Sequence, residues 1–414
     1  MIDLRGGQTA GRRTRPGVAV TTSRGCSSVI HYEFLSEQER TRLFHVRPQA
    51  LSPASPLEDQ AVGLGATLYS PATRPNLAKD VVRSRERGVT SSVLCLEDSV
   101  PDEQLSGAET NLVAQLCTVH EDRPATPWLF VRVRTPEQVA DLVRRLGPAV
   151  ATLRGFVLPK FTPTTGPVFL DAVRVASERA GVPLLSMPVV ESPEVIHLES
   201  RTAALGQLHA LLQAERERVL AVRLGATDFS GTYGLRRSGD MTVYDVRVVA
   251  SVIADVVNVL GRSDGSGFTV TGPVWEYFTG GERIFKPRLR ESVFAEHGAR
   301  ELRHQIMLMD LDGLIREVEL DKANGLTGKT VIHPTHVAAV HALSVVSHEE
   351  YCDAQDVLGR SSPGGVLPSG YRNKMNEVNP HRGWATRVLR RAQAFGVARE
   401  DVSYVDFLVA SSHQ

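Results

Sequence analysis

The chain has little of what staples, anchors or steers a protein from outside its own core. Its 414 residues include four cysteines, three tryptophans and six methionines, and aromatic residues make up 6%. Cys26, Cys95, Cys117 and Cys352 show no paired metal spacing and are too sparse for a disulfide framework. They read as reduced thiols, with Cys95 as a small core residue of a strand. An excess of charge is also missing: 47 basic residues balance 47 acidic ones, so no general attraction to nucleic acid or to a membrane surface is expected. No apolar stretch approaches the roughly 20 residues that span a bilayer. The amino terminus carries Arg5, Arg12, Arg13 and Arg15 but no apolar signal core. A cytoplasmic protein is expected, and 414 residues at 42% hydrophobic content are ample for one large core with additions.

What is present is a series of eight short apolar runs, most of them ending in a charged or hydrogen-bonding residue. They are ATLYS before Arg74, SVLCLED ending in Glu97 and Asp98, WLFVRVR with Arg132, and GFVLPK ending in Lys160. LLSMPVVE ends in Glu191, VLAVRLGATD in Asp228 and FTVTGPVWE in Glu276, and KTVIHP carries His333. Continuous Val/Ile/Leu runs suit strands buried on both faces. Helix-length segments separate them, so the pattern predicts eight βα units, an α/β fold of the (β/α)8 TIM-barrel type. In that fold, chemistry gathers at the carboxyl ends of the strands.

Three zones are expected. Residues 1–60 form an extension whose Gly/Arg/Thr-rich start has the composition of a disordered segment, followed by a helix at FLSEQERTRLF and a Pro/Ser-rich linker. Residues 61–348 form the barrel. The eighth strand is the hardest to place, because the polar segment TGGERIFKPRLRESVFAEHGARELRHQ stretches the unit spacing before it. Residues 349–414 read as a lid or subunit-contact segment. The helix VASVIADVVNVL is apolar on more than one side, which means deep burial or a subunit contact.

Glu191 and Asp228 end neighbouring strands. Two carboxylates with water at the remaining positions suit a hard octahedral cation such as Mg²⁺. The alternative is a helix N-cap and a surface carboxylate. Arg132 offers a planar fork for a substrate carboxylate, and Arg74, Glu97 and Asp98 stand at neighbouring strand ends, as substrate contacts and supports or as a structural ring of ion pairs. Lys160 suits an electrostatic role, with a Schiff base conceivable if burial lowers its pKa. His197, His304, His336, His341 and His348 read mostly as helix-surface residues without zinc spacing, and Met375 and Trp384 as packing residues. ANGLTGKT, residues 323–330, fits a relaxed Walker A pattern, but a charged helix precedes it and a strand follows, the reverse of a phosphate loop.

The succession LYSPATRP, VLCLEDSV, FVRVR, FVLPK, PVVESPEVI, RLGATDF, GKTVIHPTHV and NKMNEVNPHRGWA spans about residues 64–400. In that order it resembles the citrate lyase beta-subunit and HpcH/HpaI aldolase superfamily. The resemblance is greatest to the branch of C–C bond lyases of the TIM-barrel fold found in bacterial tellurite-resistance and stress gene clusters. It implies a Mg²⁺-dependent lyase, a homo-oligomer, that cleaves or forms a carbon–carbon bond next to a carboxylate or thioester of a 2-oxo acid, hydroxy acid or acyl-CoA. Position by position, it implies Glu191 and Asp228 as metal ligands, Arg132 as the group that binds the substrate carboxylate and stabilises the enolate, and Glu97 and Asp98 as its acidic support. Arg74 falls on the family's Asn-Arg-Pro turn, here Thr-Arg-Pro, and His333 on its Ile-His-Pro motif; with Lys160 these are candidate substrate contacts. Glu377 takes the place of a carboxyl-terminal aspartate that acts as acid or base from a neighbouring subunit, after one inserted residue. Cys95 stands where the family usually has Asp, and FKPRLR near Lys286 is a candidate phosphate contact. Two other readings are a catalytically inactive barrel serving as a scaffold in a stress-response assembly, and an ATP/GTP-binding protein acting through ANGLTGKT.

Overall fold

A computed structural model describes residues 28–278, 311–359 and 365–412. Cys26, His304 and the FKPRLR segment lie outside the described residues. Eight parallel strands alternate with helices as the apolar runs predict: β1 (Ala66–Pro71), β2 (Ser91–Cys95), β3 (Trp128–Arg132), β4 (Leu153–Leu158), β5 (Leu185–Val190), β6 (Arg223–Leu224), β7 (Gly272–Trp275) and β8 (Lys329–Val331). The ladder order is β6-β5-β4-β3-β2-β1-β8-β7. The remaining seam is bridged at Val222 and Val270, where Val222 donates its N–H to Thr269 and accepts from Thr271, each over 2.9 Å. The result is a nearly closed TIM barrel.

The runs become strands because both faces are covered. All residues of β2, β4 and β5 are buried. Leu129, Val131, Phe156, Leu158 and Val190 pack outward against the helix layer, while Val93, Phe130, Val157, Met187 and Val189 belong to a second cluster inside and below the barrel. The helix Pro136–Leu146 shows the local logic. Pro136 opens it, Val139, Leu142, Val143 and Leu146 form its buried stripe, Arg144 and Arg145 occupy its last turn, and Gly147 ends it. The Val-rich helix Arg247–Leu260 buries Val249, Val252, Ile253, Val256 and Leu260.

The barrel's amino-terminal end is plugged by both ends of the described chain. Residues Glu37–Leu43 form a helix with a Ser36/Glu39 capping box, and Phe44–Val46 pairs antiparallel with Val397–Ala398. Tyr32, Phe44 and Phe407 meet ring to ring there. Helices His348–Leu358 and Val378–Phe395 pack on each other through Ala354, Val357, Ala385 and Val388, with the hairpin Val366–Pro368/Met375–Glu377 beside them. None of the described helices is long and apolar enough to cross a membrane.

Several expectations are corrected. His336 and His341 are buried rather than on a helix surface, because the helix Thr335–Ser344 is covered along almost its whole length. His341 Nε2 accepts the N–H of Ala66 over 3.1 Å at the start of β1. Met375 is 70% exposed and Trp384 36%, so neither is a packing residue. The hairpin is instead tied down by Lys374 and Asn376, both bonded to Asp353 over 2.8 Å. The ANGLTGKT segment runs from the helix Leu311–Ala323 into β8, and the Lys329 ammonium is fully buried between Glu317 (2.9 Å) and Asp321 (2.7 Å). A lysine so placed cannot reach a phosphate, and the order of elements is the reverse of a phosphate loop.

Candidate active site

Five strand ends supply one cluster. β2 runs on to Glu97 and Asp98, β3 ends at Arg132, β4 runs on to Lys160, and β5 to Glu191. β6 passes through Gly225 to Asp228 in the first turn of the helix Ala226–Thr232. Arg132 holds the centre: its Nη2 lies 2.8 Å from Glu97 Oε2, 3.1 Å from Glu191 Oε1 and 3.4 Å from Asp98 Oδ2. Its Nε is buried without a partner. Lys160 Nζ stands 2.9 Å from Glu97 Oε1 and 3.5 Å from Asp98 Oδ1.

Two backbone features set this geometry. Lys160 adopts a φ of 45°, the left-handed region that a side chain seldom takes, and from there donates its N–H to Glu191 Oε1 over 2.8 Å. Gly225 passes so close that a Cβ on it would lie 2.3 Å from Glu191 Oε2. Nothing in the apolar patterning signals the Lys160 conformation; Gly225, immediately after the β6 run, is the kind of residue that marks a close backbone approach.

The electrostatics follow from crowding. Burial pushes the Glu191 carboxyl up to about 7, against the pull of Arg132, and the Asp228 charge adds to the rise. Burial, then the Asp98 charge, raises Asp228. Glu97 is raised by burial and by its bond to Asp98. Asp98 itself is held low: burial opposes this, but the bond to Glu97 and the charges of Arg132 and Lys160 prevail. Lys160 is raised, first by its bond to Glu97, the opposite of what a Schiff-base lysine needs.

The other sequence candidates lie apart from this cluster. Arg74 pairs with Asp80 over 2.6 Å on the following helix, its side chain 53% exposed. His333 bonds Thr335 through Nδ1 over 2.8 Å and stacks on Phe278. Glu377 is exposed at the end of the hairpin, its backbone N–H donating to His381. Glu276, at the end of β7, accepts from Thr227 Oγ1 over 3.1 Å and from buried Arg237 over 3.4 Å, bracing the turn that carries Asp228. A cavity of about 480 Å³ lined by Phe44, His45, His348, Arg399, Glu400 and Asp401 contains none of the strand-end residues.

The donor set fits Mg²⁺. Two buried or half-buried carboxylates, Glu191 and Asp228, converge close enough to hydrogen-bond, and burial raises the proton affinity of both, with the Asp228 charge adding to the rise at Glu191, the condition a hard cation relieves. Among the described residues no group of three or more His, Cys, Asp or Glu side chains is placed to enclose a metal ion, so water would complete its shell.

The profile of the "C-C bond lyase of the TIM-barrel fold" family matches residues 58–397. The chain belongs to that family. An L-malyl-CoA/beta-methylmalyl-CoA lyase from Cereibacter sphaeroides is 28% identical over 179 residues, which is 42% of this chain and 51% of that protein. The chain therefore matches about half the length of that curated relative. A citrate lyase structure from Burkholderia xenovorans superposes with a TM-score of 0.57 at 16% identity, covering 84% of this chain and 96% of the other, and so shares the fold. CitE from Mycobacterium tuberculosis, in complex with magnesium, acetoacetate and coenzyme A, gives 0.49 at 20% identity over 79% and 97% of the two chains. Like the strand ends of other barrels, those of this C–C bond lyase family member carry its clustered polar residues.

Proposed function

We propose that the protein is a Mg²⁺-dependent carbon–carbon lyase acting on a 2-oxo or hydroxy acid, free or as an acyl-CoA-type thioester. The observation that carries this reading is the Arg132 guanidinium, shared among Glu97, Asp98 and Glu191 with Asp228 alongside. The family match and the malyl-CoA lyase relative support the reaction class.

Glu191 and Asp228 would hold the cation, which when bound supplies Lewis acidity toward the substrate's oxygens. Arg132 provides a fixed positive charge at the place where an enolate develops as the carbon–carbon bond breaks, and its orphaned Nε faces no competing acceptor. Glu97, gripped by Arg132 and Lys160, keeps that fork in register. The half-exposed Lys160 ammonium adds attraction for an anionic substrate. Glu377, with no hydrogen bond or ion pair to its own chain's cluster among the described residues, would serve the site of a second copy, so the reading includes a homo-oligomer.

The test is a panel of oxaloacetate, malyl thioesters and related hydroxy acids, assayed for carbon–carbon cleavage with and without Mg²⁺. Cleavage that requires Mg²⁺ and is lost in Glu191→Ala supports the reading; turnover that persists in that variant contradicts it.

A further inference from the structure

Beneath the carboxylate cluster the barrel encloses a cation with no anion. Arg223 on β6 is 1% exposed and reaches across the interior to hydroxyls on other strands: Thr67 Oγ1 of β1 at 3.3 Å and Thr330 Oγ1, next to β1 on β8, at 2.5 Å. It also meets Met187 Sδ at 3.9 Å and hydrogen-bonds the Tyr69 side chain, while its Nε has no partner. Buried guanidinium groups are ordinarily matched by a carboxylate, because an unmatched one forfeits its hydration. This one instead lies over the Tyr69 ring, with Cζ 5.4 Å from the centroid.

Tyr69 is half-buried on β1, within reach of the charges of Arg223, Arg132 and Glu191. Burial keeps its proton on, and the two guanidinium groups draw density toward its oxygen. Its hydroxyl is hydrogen-bonded to Arg223, and because a guanidinium only donates, the phenol accepts there and its own proton is not used in that bond. A neutral phenol within range of the Arg132 charge and held by a second, buried cation is arranged to donate a hydrogen bond to a developing oxyanion.

We infer that Tyr69 is a further catalytic residue, donating a hydrogen bond to the enolate oxygen or carboxylate of the substrate alongside Arg132, and that Arg223 is the positioning residue which fixes and polarises it. This rests on the lyase reading and deepens it: the substrate anion extends down to the Tyr69–Arg223 layer. A phenylalanine there would preserve packing and lose the donor.

The experiment uses oxalate, an enolate-shaped dianion, against pyruvate, its ground-state counterpart, each titrated calorimetrically in the presence of Mg²⁺. In Tyr69→Phe, oxalate affinity falls about 10- to 100-fold, the range of one hydrogen bond to a charged group, while pyruvate affinity changes little. Arg223→Met follows the same selectivity, and Arg223→Lys restores part of it. Thermal melts identify any variant that has failed to fold, and on the substrate the panel identifies, kcat falls while KM holds. Oxalate bound equally by wild type and Tyr69→Phe overturns the role of Tyr69 and leaves the lyase reading standing. Absence of Mg²⁺-dependent oxalate binding in wild type overturns both.

Discussion

The backbone N–H of Lys160 donates to Glu191 Oε1 over 2.8 Å from a residue whose φ is 45°, while the same residue's ammonium grips Glu97. One residue thus orients a metal-ligand candidate through its main chain and the support of Arg132 through its side chain. Lys160→Gly separates the two. Glycine accepts the left-handed backbone, so the fold should be unchanged or gain about 1 kcal/mol, and Mg²⁺ affinity should hold. Turnover should fall, because Glu97 loses one of its two cations. A Mg²⁺ affinity as low as that of Glu191→Ala, measured calorimetrically, would contradict this division of labour.

Arg132→Met should lower kcat by roughly 10²–10³, the effect of removing a preorganised donor at a developing oxyanion. Mg²⁺ should still bind, since the substitution leaves Glu191 and Asp228 in place. Steady-state kinetics with a metal titration separate the two effects; unchanged kcat would remove Arg132 from the chemistry.

Gly225→Ala places a methyl group 2.3 Å from Glu191 Oε2 and 2.4 Å from its Cβ. Glu191 must move, and Mg²⁺ affinity should fall at least tenfold with little change in the circular dichroism spectrum. Retained affinity would show that Glu191 is not held where the metal needs it.

How much of this was legible in the chain depends on what writes each feature. The eight strands were legible because burial on both faces demands unbroken apolar runs, and the strand-end positions of Arg132, Glu191 and Asp228 follow from where those runs stop. The Lys160 backbone was not, since left-handed φ leaves its signature only when the residue is glycine or asparagine. Arg223 was hidden inside an apolar run, VLAVRLG, where its charge reads as an interruption rather than as a floor to the site. His336 and His341 were misplaced because a polar residue on an amphipathic helix is assigned to solvent, whereas the helix Thr335–Ser344 is covered nearly all round. Met375 failed the other way: a hairpin held by Lys374 and Asn376 on Asp353 leaves its apolar side chain outside, and Trp384 stands 36% exposed on the helix that follows.

Lys329→Met breaks a fully buried ion cluster and should cost about 3–5 kcal/mol in urea unfolding, because buried Asp321 loses its cation and Glu317 keeps only Arg237. ATP should bind neither protein. Nucleotide affinity in wild type that disappears in the variant, with stability intact, would reinstate the phosphate-loop reading.

Acid should loosen the amino-terminal plug. Burial holds His31 down to about 3 and His341 well below its usual value. Their pKa values are depressed in the folded state, so unfolded chains bind more protons below about 6.5 and stability is lost as pH falls from there toward 3. Glu191, raised to about 7, and Asp321, raised to about 6, act oppositely between about 4.5 and 7. The histidine slope should therefore emerge most clearly below about pH 4.5. His341→Gln should flatten it, and identical pH profiles of unfolding for the two proteins would refute the assignment.

The most direct measurement is calorimetric titration of Mg²⁺ into wild type and a Glu191→Ala/Asp228→Ala double variant, each with and without oxaloacetate. Binding that needs both carboxylates and tightens with the oxo acid is the predicted result. Wild-type protein that binds no Mg²⁺, or a double variant that binds it as well, contradicts the claim that these two strand ends form the metal site of a carbon–carbon lyase.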